Sequence, residues 1–200
     1  KKKLLLLLLI IMVFVSGCSV KKVEEMSPSE KFSKEYSVPK ENSFKYVSID
    51  EVLEILRDGT GIIFFGNSDN EVSTKTVKVF SEAIKDSGFD EVTVYYYNPV
   101  VIRDNNTSKY IELISLLSGY LDVNDNDEEY LYLPDIYFVK DGKIVSHNND
   151  MATNSTDDIL GDEDDSKIKD KYIKLLNEYF EKDTSEWTSQ EKVDSLKRHL

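Results

Sequence analysis

Four consecutive apolar residues, Ile62-Ile63-Phe64-Phe65, stand between Gly61 and Gly66, and the segments on either side carry apolar residues at helical spacing. A run of that length bounded by glycines suits a strand covered on both faces. Such a strand needs helices above and below it, so this segment alone points to an α/β fold. Upstream, Ser48 and Glu51 have the spacing of a capping box, and Val52, Leu53, Ile55 and Leu56 form the stripe of a helix that Gly59 ends. Downstream, Val72, Thr76, Val79, Phe80 and Ala83 share one face of a helix predicted over residues 71–86, with Gly88 past its end.

The pattern then repeats with variations. Residues 92–97 read as a second strand, in which Tyr95, Tyr96 and Tyr97 point alternately to opposite faces and form strand surface and core rather than a ligand cage. Residues 98–106 read as a loop. Tyr110, Leu113, Ile114, Leu117 and Leu121 are in phase for a helix over residues 107–121. Asp141-Gly142 suits a tight primed turn, which makes residues 130–140 and 143–146 a β-hairpin. Ile168, Tyr172, Leu175, Leu176 and Tyr179 mark a last helix over residues 166–182. Strands alternating with helices imply a parallel β-α-β unit, and the late hairpin adds antiparallel strands to the same sheet. There is no internal repeat.

The start of the chain is of another kind. Lys1, Lys2 and Lys3 precede an apolar run from Leu4 to Val15, and small residues come next, which is the order of a secretory signal. As a helix the run spans about 18 Å against a hydrocarbon core of about 30 Å, short for a permanent span. Val15-Ser16-Gly17-Cys18 resembles the lipobox of bacterial lipoproteins. That resemblance implies a diacylglyceryl thioether on Cys18, palmitate among its acyl chains, cleavage before Cys18, and a protein held at the extracytoplasmic face of the cell membrane. Two acyl chains hold a protein stably where one gives only reversible binding.

On this reading residues 1–17 are the signal peptide, and residues 18–45, polar and containing Pro28 and Pro39, are a lipidated flexible tether. Residues 46–182 are the folded domain. Residues 183–200 are a tail, in which Thr188 and Glu191 have capping-box spacing before Val193 and Leu196 and predict one short helix after Trp187.

Charge and cysteine content narrow the function. The chain carries a net −13, and removal of Lys1, Lys2 and Lys3 takes 25 basic residues to 22 against 38 acidic ones, a net −16. Nucleic acid and anionic headgroups are poor partners for such a body. Cys18 is the only cysteine in the 200 residues, so no disulfide staples the domain.

The stretch Tyr132-Leu133-Pro134-Asp135-Ile136-Tyr137-Phe138-Val139-Lys140-Asp141-Gly142-Lys143-Ile144-Val145 is similar to the segment of thioredoxin-like proteins in which a cis-proline precedes a strand, a glycine-containing turn and the next strand. The match covers about residues 46–182 and is closest to thioredoxin-like lipoproteins exported by Gram-positive bacteria. It implies a three-layer fold with a mixed central sheet flanked by helices. In that family a loop after the strand corresponding to residues 62–66 bears Cys-x-x-Cys at a helix N-terminus, which lowers the first thiol's pKa. Here the two positions fall on Asn70 and Ser73, with Glu71 and Val72 between them. No cysteine remains in the exported domain, so thiol-disulfide exchange by the usual route is excluded. The resemblance leaves Asn70, Glu71, Val72, Ser73, Leu133 and Pro134 as a binding face, and no catalytic residue is assigned.

Ser73 as a nucleophile would need an adjacent base, and nothing in the sequence places His147 or His199 beside it. Near a helix N-terminus, serine and Asn70 read as capping or solvated residues, and His147 as a surface residue. Asp122, Asn124, Asn126 and Glu128 alternate as in a calcium loop, but Asp127 stands at the sixth position and Leu133 at the twelfth, where glycine and glutamate belong. The acidic residues between positions 157 and 165 read as a solvated loop. No metal or cofactor is assigned. The functional expectation is a lipid-anchored module that binds an extracytoplasmic protein or peptide; the alternatives are a non-thiol enzyme using residues 70–73 and a purely structural surface lipoprotein.

Overall fold

The computed structural model describes residues 26–89, 91–149 and 165–180. Cys18 and its signal, most of the second acidic stretch and the tail beyond position 180 lie outside the described residues.

The first element is helix α1, Pro28–Tyr36. Ser27 caps it: Ser27 Oγ accepts from the Glu30 N–H at 3.2 Å and Glu30 Oε2 accepts from the Ser27 N–H at 3.1 Å. Pro28 occupies the first turn, where a missing N–H costs nothing, and Ser37 closes the helix in the left-handed conformation. Phe32 and Tyr36 lie one turn apart and are buried, with Phe32 stacked on Phe44 at 4.4 Å between ring centroids. Helix α1 corrects the expectation of a flexible tether over residues 18–45. From Pro28 onward the chain belongs to the domain, because two aromatic side chains at helical spacing complete an aromatic cluster on the sheet.

Strand β1 (Phe44–Tyr46) leads to helix α2 (Ile49–Asp58), which carries the expected capping box from Ser48 to Glu51 and ends at Gly59. Strand β2 (Gly61–Phe65) is followed by helix α3 (Glu71–Ser87), and strand β3 (Val94–Tyr97) by a short helix α4 (Val100–Asp104) and helix α5 (Ser108–Leu117). A small hairpin of β4 (Asp122–Val123) and β5 (Glu129–Tyr130) precedes β6 (Asp135–Lys140), β7 (Lys143–Asn148) and helix α6 (Asp165–Tyr179).

The main sheet has five strands in the order β1-β3-β2-β6-β7. β3 runs parallel to β1 and β2, with Ile62 opposite Val94 and Phe65 opposite Tyr97. β6 is antiparallel to both β2 and β7, so the sheet is mixed as expected. One face packs under α1, α3 and α6 through Phe32, Phe80, Tyr96, Phe138, Tyr172 and Leu176. The other packs under α2 and α5 through Leu53, Leu56, Phe65, Leu113, Leu117 and Tyr137. Lys169 reaches Asp86 at 2.9 Å and Lys75 reaches Asp165 at 2.9 Å, both joining α6 to α3. Among the described residues no helix is long and apolar enough to cross a membrane.

The β6–β7 turn behaves as the Asp-Gly pair predicts, with φ of 49° at Asp141 and 69° at Gly142. A Cβ on Gly142 would also stand 2.1 Å from the Arg57 carbonyl oxygen, so the turn is pressed onto the end of α2. One expectation changes here. The predicted loop over residues 98–106 contains α4. The acidic stretch that alternates like a calcium loop folds as the β4–β5 turn: Asn124 Oδ1 accepts from the Asn126 and Glu128 N–H groups at 2.9 and 3.1 Å, and Asp127 adopts φ 60°. Its central oxygen donor is therefore turned onto its own backbone. Among the described residues no group of three acidic, histidine or cysteine side chains is placed to hold a metal ion.

Candidate functional site

In an open sheet with parallel strands, the crevice forms beyond the carboxyl ends of neighbouring strands whose connections leave on opposite faces. β2 and β3 meet that condition, since β2 exits to α3 on one face and β3 exits to α4 and α5 on the other. The register brings β6 to the same end: Phe65 pairs with Asp135, so Gly66 and Pro134 each lie one residue beyond the last pair. The loop after β2 and the Leu133-Pro134 step thus come together at one end of the sheet. The Leu133-Pro134 peptide is cis, and both residues are buried.

Asn70 is the N-cap of α3, and its Oδ1 accepts from the Ser73 N–H at 2.8 Å. Glu71 is exposed in the first turn, where its charge complements the helix dipole. Val72 is buried at 1 % exposure and Ser73 at 0 %. Ser73 Oγ accepts from the Asn67 N–H at 3.2 Å, closing the loop onto the helix. Asn67 Oδ1 accepts from the Asp69 N–H at 3.2 Å and from Asn98 Nδ2 at 3.3 Å, which ties the exits of β2 and β3 together. Of the four residues predicted here, Asn70 and Glu71 reach the surface while Val72 and Ser73 point inward. Ser73 is a structural acceptor, and His147 lies on β7, two strands from β2.

Several residues around this end of the sheet were given no role by the sequence pattern. Glu35, from α1, accepts at Oε1 from Ser68 Oγ at 3.0 Å and from Tyr96 Oη at 2.9 Å, while Tyr36 Oη donates to Tyr96 Oη at 3.2 Å. Burial raises the phenols of Tyr36 and Tyr96 far above the usual tyrosine range, so both remain neutral donors. A capping box from Ser27 to Glu30 was the available signal for α1, and hence for Glu35.

Asp135 is the other residue that sequence reasoning missed. It is 2 % exposed, and its Oδ1 makes no hydrogen bond among the described residues. The Tyr137 hydroxyl faces the carboxyl without meeting hydrogen-bond geometry. Desolvation holds the Asp135 carboxyl well above the ordinary range; Tyr137 and the Ile136 N–H lower it in part, and Asp122 raises it further. The Tyr137 ring stacks on His147 at 5.4 Å between centroids, and Tyr120 meets His147 edge-on at 5.6 Å. Period-two alternation puts Asp135 on one face of β6 with Tyr137 and Val139, but every residue from Asp135 to Val139 is buried, so alternation alone does not single out this acid.

Chemically, this end of the sheet offers a capped helix N-terminus, amide side chains, a carboxylate shared by two hydroxyls and one buried acid. Its loop is closed by its own hydrogen bonds. Comparison with protein-family models and with curated proteins finds no match to this chain.

Proposed function

We propose that the protein is a lipid-anchored, extracytoplasmic, thioredoxin-like module that binds a protein or peptide non-covalently. The observation that carries this reading is the strand order β1-β3-β2-β6-β7 with Gly66 and Pro134 each one residue beyond the Phe65–Asp135 pair at one sheet end, which supports the likeness stated for residues 132–145. Thioredoxin-like folds use the backbone before this proline to pair with an extended chain, a form of strand addition that needs no sulfur. The inward-facing Ser73, engaged with Asn67, favours binding over nucleophilic chemistry at the loop. The anchor is Cys18, with Val15-Ser16-Gly17 preceding it, and no cofactor enters the proposal.

The test is photo-cross-linking in intact cells, with a photoreactive side chain placed at Tyr132 or Glu71 and, as control, at exposed Glu54 on α2. Defined adducts from Tyr132 and Glu71, absent at Glu54, are expected. Adducts no stronger at Tyr132 and Glu71 than at Glu54 would sink the binding reading.

A further inference from the structure

Away from the sheet end, a cavity of about 390 Å³ opens between α3 and the turn joining α1 to β1. Val38, Pro39, Ile84 and Phe89 give it apolar walls, and Lys78 and Lys85 stand at its rim beside Glu41 and Glu82. Neither lysine makes an ion pair among the described residues. The Phe89 ring, which lines the cavity, lies 4.5 Å from the ring of Phe180, the last described residue, and Phe180 remains 40 % exposed. The chain therefore leaves α6 at the lip of the cavity.

The sequence beyond Phe180 has the composition to fill it. Lys182, Asp183 and Glu186 precede Trp187, the only tryptophan in the sequence, and Val193 and Leu196 come after. Trp187 lies seven positions beyond Phe180, a reach of at most about 25 Å at roughly 3.3–3.6 Å per residue. The alternating charges before Trp187 match a rim of both signs. An exposed indole gains most by entering an apolar recess, since aromatic side chains bury about 150–250 Å² each.

We infer that this cavity is the docking site of residues 181–200 of the same chain, with Trp187 seated against Val38, Ile84 and Phe89 and the acidic residues before it facing Lys78 and Lys85. The cavity is separate from the binding face, which lies at the other end of α3.

Because Trp187 is the single tryptophan, fluorescence of the full chain reads its environment directly. The expected result is blue-shifted emission and several-fold weaker acrylamide quenching than a free tryptophan amide shows. Ser81→Phe, which fills the cavity from its wall, and the double variant K78E/K85E, which reverses the rim charge, should each return Trp187 to solvent-like emission while far-UV circular dichroism stays unchanged. Solvent-like emission in the parent chain overturns the inference. Shielding that survives both variants places Trp187 elsewhere and also overturns it. Shielding lost on dilution assigns the segment to a second copy and overturns docking within one chain.

Discussion

The two faces of the central sheet treat several of their buried polar groups in opposite ways. Under α1, α3 and α6 the hydroxyls engage one another and the backbone: Tyr36 donates to Tyr96, Tyr96 to Glu35, and Tyr179 Oη donates to the Val139 carbonyl at 2.9 Å. Ser73, on the same side, is buried and holds Asn67. Under α2 and α5, Asp135 and Tyr137 lie buried beside each other, with Asp135 Oδ1 and Tyr137 Oη unmatched. On the first face the hydroxyls just named are committed to rigidity. The other keeps a buried acid that opposes folding whenever it ionises, and such groups concentrate at functional sites. Ser73 is thus architectural, while the residue of unusual chemistry sits just after Pro134.

The largest expected effect breaks the first face. Phe32→Ala removes a fully buried ring that contacts Tyr36, Phe44 and Tyr96, and should cost about 3–5 kcal/mol in denaturant unfolding. If residues 28–36 were only a tether, the midpoint would not move.

Asp135→Asn probes the second face with the opposite sign. Asp135 is held above its unfolded value, near 3.9, so its contribution is complete below about pH 4 and is lost as pH rises towards the folded value. The substitution should raise stability by about 1–3 kcal/mol at neutral pH and remove the loss that sets in as pH rises above about 4. Parallel stability–pH curves for the parent and Asp135→Asn would contradict the assignment.

Two smaller effects return to the satisfied side. Ser73→Ala leaves the Asn67 N–H without its acceptor and should cost about 1–2 kcal/mol, with faster hydrogen exchange at Asn67. Asn70→Ala removes the cap of α3 and should cost about 1 kcal/mol, seen as a lowered urea midpoint. Should Ser73→Ala prove neutral in stability and leave exchange at Asn67 unchanged, the contrast between the two faces would weaken on its better-defined side.

Much of the fold was legible because its signals are local. The apolar run between Gly61 and Gly66, the Ser48 capping box, the Asp141-Gly142 turn and the alternating tyrosines each specify their own geometry over a few residues. Helix α1 was hidden by its composition: two prolines and many charged residues frame a helix whose buried side chains are Phe32, Ser33 and Tyr36. Strand β1 has three residues and gains its pairing from β3, a long-range contact that no local pattern encodes. At the site, the capping role of Asn70 was readable from its place before the helix. The inward turn of Ser73 depends on where α3 lies against the sheet, and the Glu35 network joins positions some sixty residues apart. The acidic alternation at residues 122–128 left the local fold unread, because oxygen spacing along a chain does not say whether those oxygens face outward or cap a turn.

The central claim is that the sheet end acts by binding and that its serine does no chemistry. Cross-linking from Tyr132 in a chain that also carries Ser73→Ala tests it most directly. The adduct should persist at the parent level as long as the domain is folded. Its disappearance from a folded Ser73→Ala protein would show that the hydroxyl itself is required, and would contradict the account.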